Sequence, residues 1–187
     1  DLMNVSGITD RLLKFSAALI GHVRGGLSHV NIVASMIFSG VSGSAVADTS
    51  AVGSVLIPAM KKEGYHSAYA AAVTAASSTI GPIIPPSIPF VIFGLLTNTS
   101  IGDLFLAGIV PGVLMGGFLL MASYIISVRR QYPAHSRASI KVVAGSFVDA
   151  FLALLMPAII LGGITTGIVT PTESGVVAVA YGIFIGL

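Results

Sequence analysis

The stretch Ile80-Gly81-Pro82-Ile83-Ile84-Pro85-Pro86-Ser87-Ile88-Pro89 decides how this chain folds. It carries four prolines in eight residues, 82–89. Proline has no backbone N–H and its ring clashes with the preceding turn, so such a run cannot be helix interior. Each proline removes the N–H that would bond the carbonyl four residues back. The carbonyls of Ser78, Gly81, Pro82 and Pro85 are therefore expected to be free. Helical apolar patterns flank the run on both sides. It also lies midway between Lys61-Lys62 and a polar stretch, 97–103, that has no Lys or Arg. Short loops rich in Lys and Arg stay in the cytoplasm, which puts 61–62 inside and 97–103 outside. At that depth an extramembrane turn does not fit, and a plain kink is the competing reading. The run reads as a transmembrane helix, 65–97, broken in its middle, with carbonyls able to bind a cation. The hydroxyls of Thr74, Ser77, Ser78 and Thr79 precede the break.

Composition points the same way. Of 187 residues, 55% are hydrophobic and 9% charged, against roughly 25% charged in a soluble domain. The mean hydropathy is +0.98. Too few polar groups remain to cover a water-exposed surface. This excludes a soluble enzyme, a nucleic-acid binder and a disordered segment. Nine Lys and Arg against seven Asp and Glu make no basic patch. The lack of cysteine excludes disulfides, thiolate metal sites and Cys nucleophiles. What remains is an all-α polytopic membrane protein with room for about five or six membrane segments at about 20 residues each. The chain opens Asp1-Leu2-Met3-Asn4 and stops within an apolar run, 181–187, so it reads as an internal piece of a larger protein.

The charge clusters set the remaining topology. Residues Arg11, Lys14 and Arg24 mark a cytoplasmic-side connector helix, 1–25, and Arg129, Arg130, Arg137 and Lys141 mark a basic loop with a surface helix, 129–150. One crossing, 103–128, joins the outer stretch to that loop. A last segment, 151–187, holds a crossing helix, a Thr170-Pro171-Thr172-Glu173 break and the start of another helix. The stretch 26–62 must leave and return to the same side. Its first apolar half, 27–41, spans only about 22 Å as a helix, short of a ~30 Å hydrocarbon core. A small, polar centre, Ser42-Gly43-Ser44-Ala45-Val46-Ala47-Asp48-Thr49-Ser50, separates the halves. This predicts a re-entrant helical hairpin with its tip at mid-membrane.

Asp48 is the only acid between Asp10 and Glu63. An ionisable group at membrane depth is costly and marks a functional site by default. Ser42, Ser44, Thr49 and Ser50 surround it with oxygens, and Gly40 and Gly43 allow turns and close approach. Hard oxygen ligands of this kind suit sodium, while the free N–H groups of the helix beginning near Asp48 would favour an anion. The competing reading makes Asp48 a plain helix cap. Elsewhere, Gly108, Gly112 and Gly116 form a packing stripe at spacing four, and Pro111 is expected to kink that helix. Glu173 reads as a capping partner of Thr170 rather than a gating group. The histidines His22, His29, His66 and His135 are scattered. No HExxH, GxSxG or GxGD pattern and no P-loop occurs, so hydrolytic, metal and ATP chemistry have no support and the chain is expected not to be an enzyme.

Four motifs carry a family resemblance: Gly25-Gly26-Leu27-Ser28-His29-Val30-Asn31, Ser42-Gly43-Ser44-Ala45-Val46-Ala47-Asp48, Gly81-Pro82-Ile83-Ile84-Pro85-Pro86-Ser87-Ile88-Pro89-Phe90 and Thr170-Pro171-Thr172-Glu173. In this order the chain resembles the large membrane subunit of tripartite ATP-independent periplasmic (TRAP) transporters, the DctM-like family. The resemblance implies an inverted-repeat, elevator-type transporter of the bacterial inner membrane, driven by a sodium gradient. Its partners would be a small four-helix membrane subunit and a periplasmic binding protein. Its cargo would be small carboxylates of the dicarboxylate, sugar-acid or sialic-acid class. Sodium would lie among Ser42, Gly43, Ser44, Asp48, Ser78, Gly81, Ile83 and Pro85, and substrate at Ser44, Asp48, Thr49, Pro85 and Ser87. The family's first helices, its second hairpin and its second broken helix have no counterpart in these residues, so 187 residues alone should not transport. Rival readings are an ion-conducting or other ion-coupled membrane subunit without a binding protein, an intramembrane enzyme, and an assembly scaffold. No nucleic-acid partner is expected.

Overall fold

The computed structural model describes residues 7–186, and the expectations for residues 1–6 and 187 lie outside the described residues. Helices run in the order α1 (Ile8–Ile20), α2 (Gly26–Ser42), α3 (Ala45–Lys62), α4 (Ser67–Ser78), α5 (Ile88–Thr97), α6 (Ile101–Arg129), α7 (Ile140–Thr165) and α8 (Pro171–Gly186), with no strand among the described residues. α1 is amphipathic: Ile8, Leu12, Leu13 and Ser16 recur at helical spacing and turn inward. They pack with Val30, Ala34 and Phe38 of α2, Val52 and Leu56 of α3, and Ala150 and Ala153 of α7. A second core joins Ile32, Met60, Tyr65, Ala70, Val73 and Tyr132.

α2 and α3 form a helical hairpin. Gly43 ends α2 at φ 59 and its N–H bonds the Ser39 carbonyl, a left-handed stop that glycine adopts without a Cβ penalty. Ser44 then caps α3 by accepting the Ala47 N–H. The arms of 17 and 18 residues reach about 26 and 27 Å at 1.5 Å per residue. By length and composition α6 and α7 are long and apolar enough to cross a membrane, and α6, at 29 residues, reaches about 43 Å. Both leave apolar side chains exposed along their length, among them Val110, Leu114, Phe118 and Met121 on α6 and Val148 and Phe151 on α7. In water such surfaces would be a liability; in lipid they need no cover.

The basic clusters converge at one end. The Gly25 N–H donates to the Pro133 carbonyl at 2.9 Å, the His66 N–H to the Tyr132 hydroxyl at 3.3 Å, and Glu63 pairs with His135 at 3.3 Å. Tyr65, Tyr69 and Tyr132 stack there, and Arg130 lies over the Tyr69 ring. Burial, reinforced by the Glu63 charge, pushes the Tyr65 phenol up from its ordinary range. At the opposite end the Lys- and Arg-free turn around Asn98 faces Thr165 and Val169. Loops of one charge character on one side are what a single cytoplasmic face requires.

Two sequence expectations change. The surface helix and following crossing expected on either side of residue 150 are one helix, Ile140–Thr165; a lone exposed Asp149 does not interrupt the backbone ladder. α3 begins at Ala45, three residues before Asp48, because Ser44 supplies the cap. Asp48 is thus an inward-facing residue of the first turn, and the plain-cap reading does not apply to it. The Glu173 cap does form: its carboxylate accepts from the Thr170 N–H and hydroxyl at 2.7 and 2.8 Å, and the Thr170 hydroxyl accepts the Glu173 N–H at 3.3 Å.

Candidate ion site at the hairpin tip

The prolines divide the apolar stretch after Tyr65 into α4 and α5, and the backbone between Ser78 and Ile88 is not helical. Ser87 organises the far side of the break. Its hydroxyl caps α5 by accepting the Phe90 N–H at 3.3 Å and donates to the Pro82 carbonyl at 2.5 Å. The Ser78 carbonyl accepts the Gly81 N–H at 3.0 Å. Two of the four carbonyls expected to be free are therefore engaged, because a turn and a serine hydroxyl replace the missing proline donors. The carbonyls of Gly81 and Pro85 accept no hydrogen bond among the described residues. The Pro85–Pro86 peptide is cis.

The hairpin tip sits on this unwound stretch. A Cβ on Gly81 would lie 3.4 Å from the Ala45 nitrogen and the Ser44 carbonyl carbon, and one on Gly43 would lie 2.5 Å from the Pro86 oxygen. The close approach at Gly43, with its positive φ, requires glycine, whereas at Gly81 an added Cβ would be in ordinary contact with the tip. A Cβ on Gly40, one turn below the tip, would be 3.8 Å from the Pro85 oxygen. The tip and the break thus present backbone polar groups to one another.

Asp48 is fully buried. The Ser42 hydroxyl approaches its Oδ1 at 3.5 Å, a long contact, and Oδ2 has no hydrogen-bond partner. No Lys, Arg or His among the described residues pairs with it. A carboxylate buried without hydrogen bonds or a counter-charge costs several kcal/mol. A small hard cation is one group that would offset that cost. The Ser78 hydroxyl is likewise buried and without a partner, and the unwound stretch that carries the Gly81 and Pro85 carbonyls touches the tip at Ser44, Ala45 and Gly43. A cavity of about 190 Å³ opens beside the tip, lined by Ser42, Pro86, Ser87, Phe105, Ile160 and Ser174 among others.

The site residues expected from sequence do not all converge. Ser42 lies beside Asp48, Gly43 beside Pro86, Gly81 beside Ser44 and Ala45, and the Pro85 oxygen near Gly40. Ser78 contributes a hydroxyl rather than a free carbonyl. Ile83 turns its carbonyl toward Gly108 of α6 rather than toward the tip. Thr49 is exposed, and its hydroxyl donates to the Ala45 carbonyl of its own helix at 2.8 Å. The buried hydroxyl of Ser87 serves the break itself.

The glycine stripe of α6 forms the floor of the break at Gly108 and Gly112 and packs on α2 at Gly116. A Cβ on Gly108 would strike the Ile83 oxygen and the Phe90 ring, one on Gly112 the Ile84 side chain, and one on Gly116 the Met36 side chain. Sequence reading anticipated close helix packing but not the partner. It also missed Pro157, whose Cγ lies 2.9 Å from a Cβ placed on Gly40. A second omission was the polar seam of Asn31, Ser35, Thr74 and Ser77 between α2 and α4. The only local hint of that seam is polar residues at helical spacing within apolar helices.

The whole chain, residues 1–187, matches the family model described as the tripartite ATP-independent periplasmic transporter, DctM component. It is 49% identical over 99% of its length to the sialic acid TRAP transporter large permease protein SiaM of Vibrio cholerae, covering 43% of that protein. It is 43% identical over 99% of its length to the 2,3-diketo-L-gulonate TRAP transporter large permease protein YiaN of Escherichia coli, covering 44%. It is 42% identical over 99% of its length to the C4-dicarboxylate TRAP transporter large permease protein DctM of Pseudomonas aeruginosa, covering 43%. The chain spans less than half the length of these curated relatives.

Proposed function

Because the chain belongs to the tripartite ATP-independent periplasmic transporter family as its DctM component, a permease family and not an enzyme family, we propose that it forms one half of the moving core of a sodium-coupled carboxylate transporter. The complete protein works in the bacterial inner membrane with a small four-helix subunit and a periplasmic binding protein that delivers the substrate. α2 and α3 enter the membrane and return as a re-entrant hairpin, consistent with arms shorter than the hydrocarbon core. Sodium, as cargo, occupies the space between Asp48 and the unwound stretch. The carboxylate substrate docks at the tip, near Ser44 and the N-terminal N–H groups of α3. The substrates for which these relatives are named (sialic acid, diketogulonate and C4-dicarboxylates) share a carboxylate.

The observation that carries this reading is the orphaned, buried Oδ2 of Asp48 in the first turn of a helix whose tip packs on the proline-broken stretch. Sodium stabilises the form in which the tip and the break are seated on each other. Substrate binds that form, so each ligand raises the affinity for the other. Completion of the site by a second, inverted half and carriage of the whole core by an elevator motion follow from the same reading. The test is uptake by the complete transporter as a function of sodium, with Asp48→Ala and Ser44→Ala. The half-saturating sodium concentration should rise sharply or the dependence vanish for Asp48→Ala. Unchanged sodium dependence in both variants would remove the tip from the mechanism.

A further inference from the structure

The seam between α2 and α4 holds a closed polar network in an otherwise apolar interface. The Asn31 amide donates to the Thr74 hydroxyl at 2.7 Å, and the Ser77 hydroxyl donates to the Asn31 carbonyl oxygen at 3.0 Å. Ser35 meets Ser77 at 3.1 Å, and the Thr74 hydroxyl passes its own proton to the Ala70 carbonyl at 2.8 Å. All four side chains are fully buried. Thr74 also faces the other arm. Its methyl group lies 3.2 Å from where a Cβ on Gly53 of α3 would be. One side chain therefore touches both arms of the hairpin, its hydroxyl on α2 and its methyl on α3. It does so one turn before Ser78, where α4 ends and the unwound stretch begins.

In lipid, packed apolar helices gain little from hiding apolar surface, so specific hydrogen bonds and close packing fix their register. A slip of α4 along α2 would carry Ser78, Gly81 and Pro85 away from Asp48. We propose that Thr74, held by Asn31 and Ser77, is a positioning residue whose hydroxyl sets the register of the broken helix against α2 and thereby tunes the affinity for the cation at the tip. The inference rests on the tip being the sodium site. A ligand that binds only the seated register has its apparent affinity lowered by the fraction of molecules not seated. Loss of one interhelical hydrogen bond should therefore raise the half-saturating sodium concentration by roughly two- to fivefold.

Thr74→Val keeps the shape and the methyl contact and deletes the hydroxyl; Thr74→Ser keeps the hydroxyl. Both are tested in the complete transporter, reconstituted with its partners, alongside Asp48→Ala. The expected result is a two- to fivefold higher half-saturating sodium concentration for Thr74→Val, with the substrate KM at saturating sodium unchanged and Thr74→Ser close to wild type. Half-saturation does not depend on the amount of protein, so poor membrane insertion of a variant does not mask it. A Thr74→Val transporter with wild-type sodium half-saturation overturns the positioning role, as does a Thr74→Ser variant as impaired as Thr74→Val. If Asp48→Ala also leaves sodium dependence intact, the fault lies in the site itself. If Asp48→Ala shifts it and Thr74→Val does not, only the positioning role falls.

Discussion

Gly108→Ala is the sharpest probe of how α6 supports the break. A methyl at Gly108 meets the Ile83 carbonyl oxygen and lies 2.5 Å from Cε2 of Phe90. Carbon atoms rest about 3.5 Å apart or more, so the ring must move by about 1 Å, and the backbone carbonyl cannot rotate away as a side-chain end could. Overpacking of this kind costs about 1–3 kcal/mol. The gain in helix propensity from Gly to Ala offsets about 1 kcal/mol of it, leaving a net loss of up to roughly 2 kcal/mol. At Gly116 the obstacle is the end of the flexible Met36 side chain, so the loss there should be smaller. Gly117, the next residue, has nothing within 4 Å of an added Cβ and serves as the control. Thermal stability of the complete purified transporter, read with its half-saturating sodium concentration, should rank the variants Gly108→Ala worst, Gly116→Ala milder and Gly117→Ala neutral or improved. Gly108→Ala should also weaken sodium activation, because Ile83 belongs to the unwound stretch. Equal behaviour of Gly108→Ala and Gly117→Ala would refute the idea that the glycine stripe is the floor of the break.

Gly43→Ala places a Cβ 2.5 Å from the Pro86 oxygen at φ 59 and should abolish uptake while leaving membrane insertion measurable by protease protection. Cysteine replacements in this cysteine-free chain report its sidedness: Ser100→Cys should react with an impermeant thiol reagent from the periplasm, and Lys62→Cys and Pro133→Cys only after permeabilisation. His135→Ala breaks a partly exposed pair with Glu63 and should change thermal stability by no more than about 0.5 kcal/mol, whereas loss of more than that would mean the pair is shielded in the complete protein.

The parts legible in sequence were those fixed by local rules. Four prolines in one short run forced the break between α4 and α5, and the short apolar halves around Ser42–Ser50 gave the hairpin. Lys and Arg placement correctly grouped the loops near Arg24, Lys61 and Arg130. The misjudged details depended on which competing local group wins. The helix expected to begin near Asp48 begins at Ala45, because the Ser44 hydroxyl reaches the Ala47 N–H. Ser87 claims the Pro82 carbonyl, and a tight turn claims that of Ser78. The pairing of Thr74 with Asn31, forty-three residues earlier, and the seating of Ile83 on Gly108 are long-range contacts. Periodicity shows which face of a helix is special, but not what it meets. Thr49 was chosen for its hydroxyl and its neighbour, yet helical geometry turns it away from the face that buries Asp48.

The central claim is that a cation rests between Asp48 and the proline-broken stretch. A density map of the complete transporter in sodium, compared with one in which choline replaces sodium, tests it directly. A sodium-dependent peak should contact the Asp48 carboxylate and the carbonyls of Gly81 and Pro85, with the tip and the break less ordered in choline. The claim is contradicted if the sodium peaks all lie elsewhere, or if Asp48 and Pro85 are far apart or both bathed in bulk water.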